Sequence, residues 1–177
     1  ALHSEQAVMS GMAMSYFQNL FEADPSLLPH TVVNLFDPVI TEEMNAKLCE
    51  AFSEKEISDA LFQIGPLKAP GPDGFPVRFF QRHWGTVKDD IIAAVRQFFL
   101  SGVMPEGVNT TTIVLIPKVE DPQRLYEFRP ISLCNVIYKI ISKCLVNRLR
   151  PLLGDIFSEE QIGFIPGRLI MDNAFIA

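Results

Sequence analysis

A strand-like pattern gives way to a helical one in the middle of the chain, and this change limits the folds that the chain can adopt. IVLIPK at 113–118 is a β-branched, apolar run typical of a buried or half-buried strand, and it ends on Lys118. FRPISL at 128–133 is a second short extended run, in which Arg129 stands between an aromatic residue and a proline. From Asn135 onward, apolar residues recur at helical spacing. We therefore expect two short strands followed by a long amphipathic helix.

Helical spacing also accounts for most of the chain before these strands. Apolar residues on one face predict a helix within 4–22, and SEKE at 53–56 matches the capping-box pattern that begins another helix. Thr41 and Thr86 are the expected N-caps of two more helices. Together with the strands, these segments predict an α+β chain that is mostly helical.

Two loops combine glycine, proline and a cation. LKAPGPDGFP at 67–76 holds three prolines and two glycines, and this composition favours a preset loop over a flexible one. Lys68 stands at its start. IGFIPGR at 162–168 is the second such loop. The first loop is either a surface connection or a stiff segment that holds backbone N–H groups and a lysine against a phosphate.

The distribution of charge matters more here than the net charge of −6, which taken alone argues against a nucleic-acid partner. Residues 1–66 contain ten acids and two lysines, whereas residues 67–177 contain eleven acids and thirteen Lys/Arg. Six Lys/Arg and one acid fall between residues 122 and 151, so the long helix carries a basic stripe. This stripe is either a phosphate-binding surface or a solvated helix face.

Cysteine usage and hydropathy narrow the class of protein. The three cysteines, Cys49, Cys134 and Cys144, are widely spaced, so we expect reduced thiols in an intracellular protein and no zinc site. No apolar run reaches the roughly 18 residues that a membrane-spanning helix needs. The first residue is Ala1, and we expect the chain to be a fragment of a longer protein.

Four blocks together resemble the reverse transcriptases of LINE-type (non-LTR) retrotransposons, especially those of plants. The blocks are KAPGPDGF at 68–75, IVLIPK at 113–118, FRPISLCNVIYKIISKCLVNRL at 128–149 and QIGFIPGR at 161–168. The resemblance covers residues 53–177, and residues 1–52 resemble the helical linker that precedes the polymerase in such elements. It implies the fingers and the first edge of the palm of a right-hand polymerase (reverse transcriptase) fold, incomplete in this chain.

The resemblance also implies roles for individual residues. Lys118 and Arg129 match the two finger cations that bind the triphosphate of the incoming dNTP. The implied template and primer contacts are Lys68, Lys139, Lys143, Arg148, Gln161, Gly163 and Arg168. Lys139, Lys143 and Arg148 would contact phosphates without regard to sequence, as an RNA-copying enzyme requires. Ile162 departs from the family, because relatives more often carry a small residue there.

The expected partners are an RNA template, a DNA primer and dNTP, without a membrane, and the family alone implies action in the nucleus. The complete enzyme would use Mg²⁺ held by clustered carboxylates. The family's Asp-bearing palm strand and Asp-Asp turn do not occur in residues 1–177, and Asp172 belongs to neither. We therefore expect no catalytic residue, no bound metal and no polymerisation by this chain alone. The alternatives are a non-catalytic nucleic-acid-binding remnant and a decayed open reading frame.

Overall fold

The chain divides into two compact units. The computed structural model describes residues 6–22, 38–158, 161, 163, 165, 167 and 168. One unit consists of residues 1–37 and 113–132, and the other of residues 38–112 and 133–177. The expected boundary between a linker and a polymerase part, at residues 52 and 53, stays a prediction.

The first unit contains one helix and most of a two-stranded sheet. Helix α1 is Gln6–Phe21, strand β1 is Thr111–Pro117 and strand β2 is Phe128–Cys134. Phe17 is buried in this unit, and the Tyr16 ring meets it edge-on at 5.1 Å between ring centroids. The predicted helix and both predicted strands are therefore present, close to their expected bounds.

Contacts at both ends of the strand pair show that β1 and β2 are antiparallel. Where β1 ends, the Lys118 N–H donates to the Glu127 carbonyl over 2.7 Å. Where β1 begins, the Thr111 hydroxyl donates to the Cys134 sulfur over 3.6 Å. The end of each strand thus meets the beginning of the other, as in a hairpin. The same register places Arg129 opposite a residue of β1, Ile116.

The second unit is a cluster of helices around one apolar core. Its helices are α2 Glu42–Cys49, α3 Glu54–Gln63, α4 Val77–Arg82, α5 Trp84–Ser101, α6 Val136–Leu149 and α7 Leu153–Ile156, with a 3-10 turn at Arg150–Leu152. The buried core residues are Phe52, Ile57, Ala60, Leu61, Val77, Ile91, Ile92, Val95, Val136, Ile140, Ile141 and Cys144. Since α3, α5 and α6 all contribute, burial of their apolar stripes holds these helices together. No described helix combines the length and hydrophobicity needed to cross a membrane.

Two predicted helix caps are confirmed. The Thr41 hydroxyl accepts the N–H of Met44 over 3.2 Å at the start of α2. At the start of α3, the Ser53 hydroxyl accepts the Glu56 N–H over 3.2 Å, and the Glu56 carboxylate accepts the Ser53 N–H over 2.8 Å. Both bonds of a capping box are therefore present, and they satisfy N–H groups that lack a partner within the helix.

The N-cap predicted at Thr86 is wrong. Helix α5 begins two residues earlier, at Trp84, and only His83 separates it from α4. The Thr86 N–H donates to the His83 carbonyl over 2.9 Å, so its backbone already belongs to the helix. The reason is that α4 leads almost directly into α5, which leaves no extended residue for a cap at this position.

Candidate nucleic-acid interface

The two cations expected to bind a triphosphate lie on one face of the strand pair. Arg129 is opposite Ile116 in the antiparallel register, and Lys118 lies two residues beyond Ile116. Side chains alternate between the faces of a strand and opposing residues share a face, so Lys118 and Arg129 point to the same side. Diagonal neighbours of this kind are roughly 7–8 Å apart. Strand pairing therefore brings both cations to one end of the ribbon.

Neither of these cations is neutralised by a carboxylate. Both side chains are exposed, and neither forms an ion pair with another described residue. The Lys118 ammonium donates to the backbone carbonyl of Tyr126 over 2.7 Å. Arg129 donates no side-chain hydrogen bond to any described residue. Lys118 therefore has one neutral acceptor, and neither positive charge is paired with an acid in the described part of the chain.

The connection between the strands is held by its own hydrogen bonds. One oxygen of the Glu127 carboxylate accepts the N–H groups of Gln123 and Arg124, over 2.7 and 2.9 Å. The Arg124 guanidinium donates to the Tyr126 hydroxyl over 3.0 Å. The carboxylate of Glu127, which lies opposite Lys118 in the strand register, is thus engaged by backbone amides, and it forms no ion pair with Lys118.

The loop that follows Lys68 is ordered by a turn and by a contact with α6. The Gly74 N–H donates to the Gly71 carbonyl over 3.0 Å, and Gly74 has a φ of 74°, which glycine adopts without strain. Lys139 donates its ammonium to the Ala69 carbonyl over 2.6 Å. The Lys68 side chain itself is exposed. The structure therefore brings the loop of Lys68 and the helix cation Lys139 together.

Lys143 lines an open cleft beside α6. The cleft has a volume of about 950 Å³, and Arg150 lines it as well. Its two acids are already paired: Glu56 with Arg148, which also lines the cleft, and Asp59 with Lys55. Lys143 and Arg150 form no ion pair within the described part of the chain, so the unpaired charge of the cleft is positive. Arg150 was not among the predicted site residues, although it continues the basic stripe of α6.

Arg148 differs from the other cations of α6, because its guanidinium faces inward. Its side chain is 12% exposed, and its central carbon lies 3.4 Å from the centroid of the Phe52 ring. Five hydrogen bonds use its five N–H donors, and the acceptors are the two carboxylate oxygens of Glu56 and the carbonyls of Leu48, Glu50 and Ala51. The expected template contact at Arg148 does not fit this arrangement, which leaves no donor for a phosphate.

Two ionisable groups beside this guanidinium have shifted pKa values. Hydrogen bonding to Arg148 lowers the pKa of the Glu56 carboxyl from 4.5 to about 2. Burial raises the pKa of the Cys144 thiol from 9.0 to about 11, with a further contribution from the Glu56 charge. At neutral pH the structure therefore holds a charged Glu56–Arg148 pair next to a protonated thiol.

The last loop places Arg168 against backbone carbonyls. Its guanidinium donates to the carbonyls of Gln161 over 2.6 Å and Phe157 over 3.1 Å, and also to those of Ser158 and Gly154. The Gln161 amide donates weakly to the Gly163 carbonyl, at 3.5 Å. Arg168 thus closes the loop on the end of α7. The departure at Ile162 and the position of Asp172 lie outside the described residues.

The expected site residues fall into two groups. Lys118 and Arg129 belong to the first compact unit, and the seven expected template contacts belong to the second. Among the described residues, no three His, Cys, Asp or Glu side chains are placed to hold a metal ion. The chain therefore offers cations and loop amides, which suit phosphate groups.

Comparison with known proteins gives a match to one family in the second half of the chain. Residues 116–177 match the family described as reverse transcriptase (RNA-dependent DNA polymerase). The matched range includes Lys118, Arg129 and all of α6, and it begins after Lys68. The block that carries Lys68 is therefore outside this match.

Three curated relatives come from transposable elements. The "Transposon TX1 uncharacterized 149 kDa protein" of Xenopus laevis is 34% identical over 93% of this chain and 13% of its own length. The "Retrovirus-related Pol polyprotein from type-1 retrotransposable element R1" of Bradysia coprophila is 28% identical over 66% of the chain and 12% of its own length.

The third relative is the "Retrovirus-related Pol polyprotein from type-2 retrotransposable element R2DM" of Drosophila melanogaster, 29% identical over 73% of the chain and 12% of its own length. The chain thus spans 12–13% of the length of these relatives. All three organisms are animals, and the special resemblance to plant elements stays a prediction.

Proposed function

Because this chain carries part of a reverse transcriptase domain of the non-LTR retrotransposon type, we propose that it serves an RNA-directed DNA polymerase by binding dNTP and template. In this proposal the described elements belong to the fingers and the first edge of the palm of a right-hand polymerase fold. The chain would bind substrates, and the carboxylates that act on them would come from another part of the complete enzyme.

The observation that carries the proposal is the placement of Lys118 and Arg129 as neighbours on the strand pair. The two cations share one face of an antiparallel ribbon, and neither has a carboxylate partner among the described residues. A lysine offers a compact charge to a phosphate, and an arginine offers two parallel N–H donors to a pair of phosphate oxygens. A triphosphate provides several such oxygens in a row, so one ligand would satisfy both side chains.

Template binding is proposed for the cations of the second unit. Lys68 and Lys143 are not paired with any described acid, and Lys143 lies beside Arg150 in the positive cleft. Lys139 is engaged by one carbonyl and keeps two further donors. Together with Gln161, Gly163 and Arg168, they would contact the RNA backbone rather than its bases. Arg148 enters the proposal only as a support for α6.

Mg²⁺ belongs to the complete enzyme in this proposal. It would neutralise charge on the triphosphate and bring the reacting oxygens together. Lys118 and Arg129 would hold the non-reacting phosphates in place while this occurs. Their contribution is therefore positioning and charge stabilisation.

The proposal is tested in a longer polymerase that contains this segment. Lys118→Ala and Arg129→Ala should each raise the KM for dNTP by about 10- to 100-fold, since a charge-assisted hydrogen bond contributes about 1.5–3 kcal/mol. The Kd for the primer–template should stay within about twofold. Arg124→Ala is the matched control, because Arg124 lies in the same connection and its guanidinium binds Tyr126. Equal losses of dNTP and template affinity would contradict the triphosphate assignment.

A further inference from the structure

The loop that begins at Lys68 is seated directly on the backbone that precedes α6. A Cβ atom added to Gly71 would lie 2.2 Å from the Asn135 side-chain oxygen, 2.4 Å from the Asn135 backbone nitrogen and 2.6 Å from the Cys134 carbonyl carbon. Real Cβ atoms do not approach backbone atoms this closely. Position 71 therefore requires glycine because there is no room for a Cβ atom, and not because of its backbone angles. With any other residue there, the loop could not pack against Asn135 in this way.

Asn135 connects three segments through its side chain. Its amide oxygen accepts the Asp73 N–H over 3.3 Å, and its amide nitrogen donates to the Gly107 carbonyl over 3.0 Å. The residue is 8% exposed. The loop, the turn before β1 and the start of α6 therefore meet at one buried amide, which needs both a donor and an acceptor.

Asn135 does not use its side chain in the way that its position at a helix start predicts. Asn135 is the N-cap residue of α6, where an asparagine commonly accepts an N–H from the first helical turn. Here the side chain makes no capping bond to its own helix. It reaches instead to Asp73, 62 residues away in the sequence. The amide thus connects distant segments in place of ordering its own helix.

A second contact fixes the other end of the loop. Lys139 lies four residues after Asn135 and donates its ammonium to the Ala69 carbonyl over 2.6 Å. The loop is therefore attached to the beginning of α6 at Ala69, Gly71 and Asp73. Lys68 directly precedes the first of these attachment points, so the direction of its exposed side chain depends on the seat of the loop.

We propose that Asn135 is a positioning residue that fixes the loop of Lys68 for contact with the RNA phosphates. This inference rests on the proposed function and deepens it. Asn135 itself touches no RNA. It acts through the backbone of Asp73 and Gly71, and in the sequence it marks only the start of a helix.

The chemistry of the amide distinguishes two substitutions, one of them in two protonation states. Asn135→Leu has a similar size and removes both the donor and the acceptor. Asn135→Asp keeps the acceptor and, when ionised, turns a second acceptor toward the Gly107 carbonyl. When protonated, the same carboxyl regains a donor and can restore both bonds. The charged residues on the adjoining segments are Lys68, Asp73, Glu106 and Lys139. Burial and the two acids favour the protonated form of the introduced carboxyl, and the two lysines oppose it.

The test measures binding of single-stranded RNA by the 177-residue chain as a function of salt and pH. Gly71→Ala and Asn135→Leu should weaken binding at low salt by about tenfold. They should also reduce the salt slope by about 0.7, the loss of one phosphate contact on a single strand. Gly85→Ala is the matched control, since nothing lies within 4 Å of the added Cβ atom. It should bind as the unaltered chain does.

The pH profile distinguishes positioning from general damage to the fold. The Asn135→Asp chain should regain affinity as the pH is lowered from about 8 to 5 and its buried carboxyl protonates, whereas the Asn135→Leu chain should show no such recovery. Far-UV circular dichroism of each variant reports its helix content. An Asn135→Asp chain without recovery, at unchanged helix content, would overturn the inference. So would a Gly71→Ala chain with the affinity and salt slope of the control.

Amide hydrogen exchange at Asp73 tests the contact between Asn135 and the loop without any measurement of RNA binding. If the unaltered chain binds no RNA at low salt, the proposed template contacts fail. The seat of the loop is still measurable, because the Asp73 N–H should exchange about tenfold faster in Asn135→Leu than in Gly85→Ala. Equal exchange in those two chains would overturn the role of Asn135 whatever the result with RNA.

Discussion

At the scale of single residues, Arg148 stabilises the second unit through contacts that no local pattern predicts. Its guanidinium binds the Glu56 carboxylate and lies over the Phe52 ring. It also donates to the backbone carbonyls of Leu48, Glu50 and Ala51. The bonded carbonyls belong to the last turn of α2 and to the segment between α2 and α3. An arginine suits this place because its planar fork can reach several acceptors at once, whereas a lysine presents a single point charge. Arg148 therefore joins α6 to the segment that leads into α3.

Arg148→Ala should lower the free energy of unfolding by about 2–4 kcal/mol. Five acceptor atoms lose their donor, and two of them are the oxygens of a charged carboxylate that is partly removed from water. Arg150→Ala is the matched control, because Arg150 is exposed and lines only the open cleft. It should change stability by less than about 0.5 kcal/mol. Urea denaturation measures both, and similar losses would contradict the role assigned to Arg148.

The Glu56 carboxylate makes stability depend on acid. Its pKa is about 2 in the folded chain and 4.5 without the fold, so the folded state favours the charged form. This stabilisation is present above about pH 4.5 and disappears as the pH falls toward 2. Glu56→Gln should therefore be less stable than the unaltered chain at pH 7, and their urea midpoints should converge between pH 5 and about 2. Midpoints that stay equally far apart through this range would exclude the linkage.

At the scale of elements, local signals identified helix starts better than helix connections. Thr41 and the Ser53–Glu56 pair cap their helices as expected, because a cap depends on residues within one turn. Thr86 does not, because its conformation depends on how closely α4 approaches α5. The two strands were also predicted, but their register depends on the length and hydrogen bonds of the connection between them, which periodicity does not specify.

Loss of the Ser53 cap should affect the whole second unit. Helix α3 buries Ile57, Ala60 and Leu61 in the core, so its unfolding disrupts that core. Ser53→Ala should lower the free energy of unfolding by about 1 kcal/mol. Thr41→Ala removes an equivalent cap from α2, which contains no buried residue, and should cost distinctly less in global unfolding. A larger effect at Thr41, measured by thermal or urea denaturation, would contradict this ranking.

At the scale of the whole molecule, the sequence predicted a mostly helical α+β chain, and it missed how distant residues pair. The acidic first third of the chain and the basic stripe of α6 look separate in the sequence. In the structure Glu56 binds Arg148, 92 residues later, and this contact removes one expected phosphate ligand. Asn135 was missed for the same reason, since its partners Asp73 and Gly107 are distant in sequence. Long-range polar pairing depends on packing, which residue periodicity does not encode.

Trp84 makes the two units optically distinct. It is the single tryptophan of the chain, it lies in the second unit, and it packs half-buried against the core with its ring edge-on to Phe62 at 6.2 Å. Indole emission therefore follows only the unit that contains Asn135 and Arg148, whereas far-UV circular dichroism records helices of both units. A common midpoint for the two signals would establish one cooperative transition, and separate midpoints would assign the emission change to the second unit.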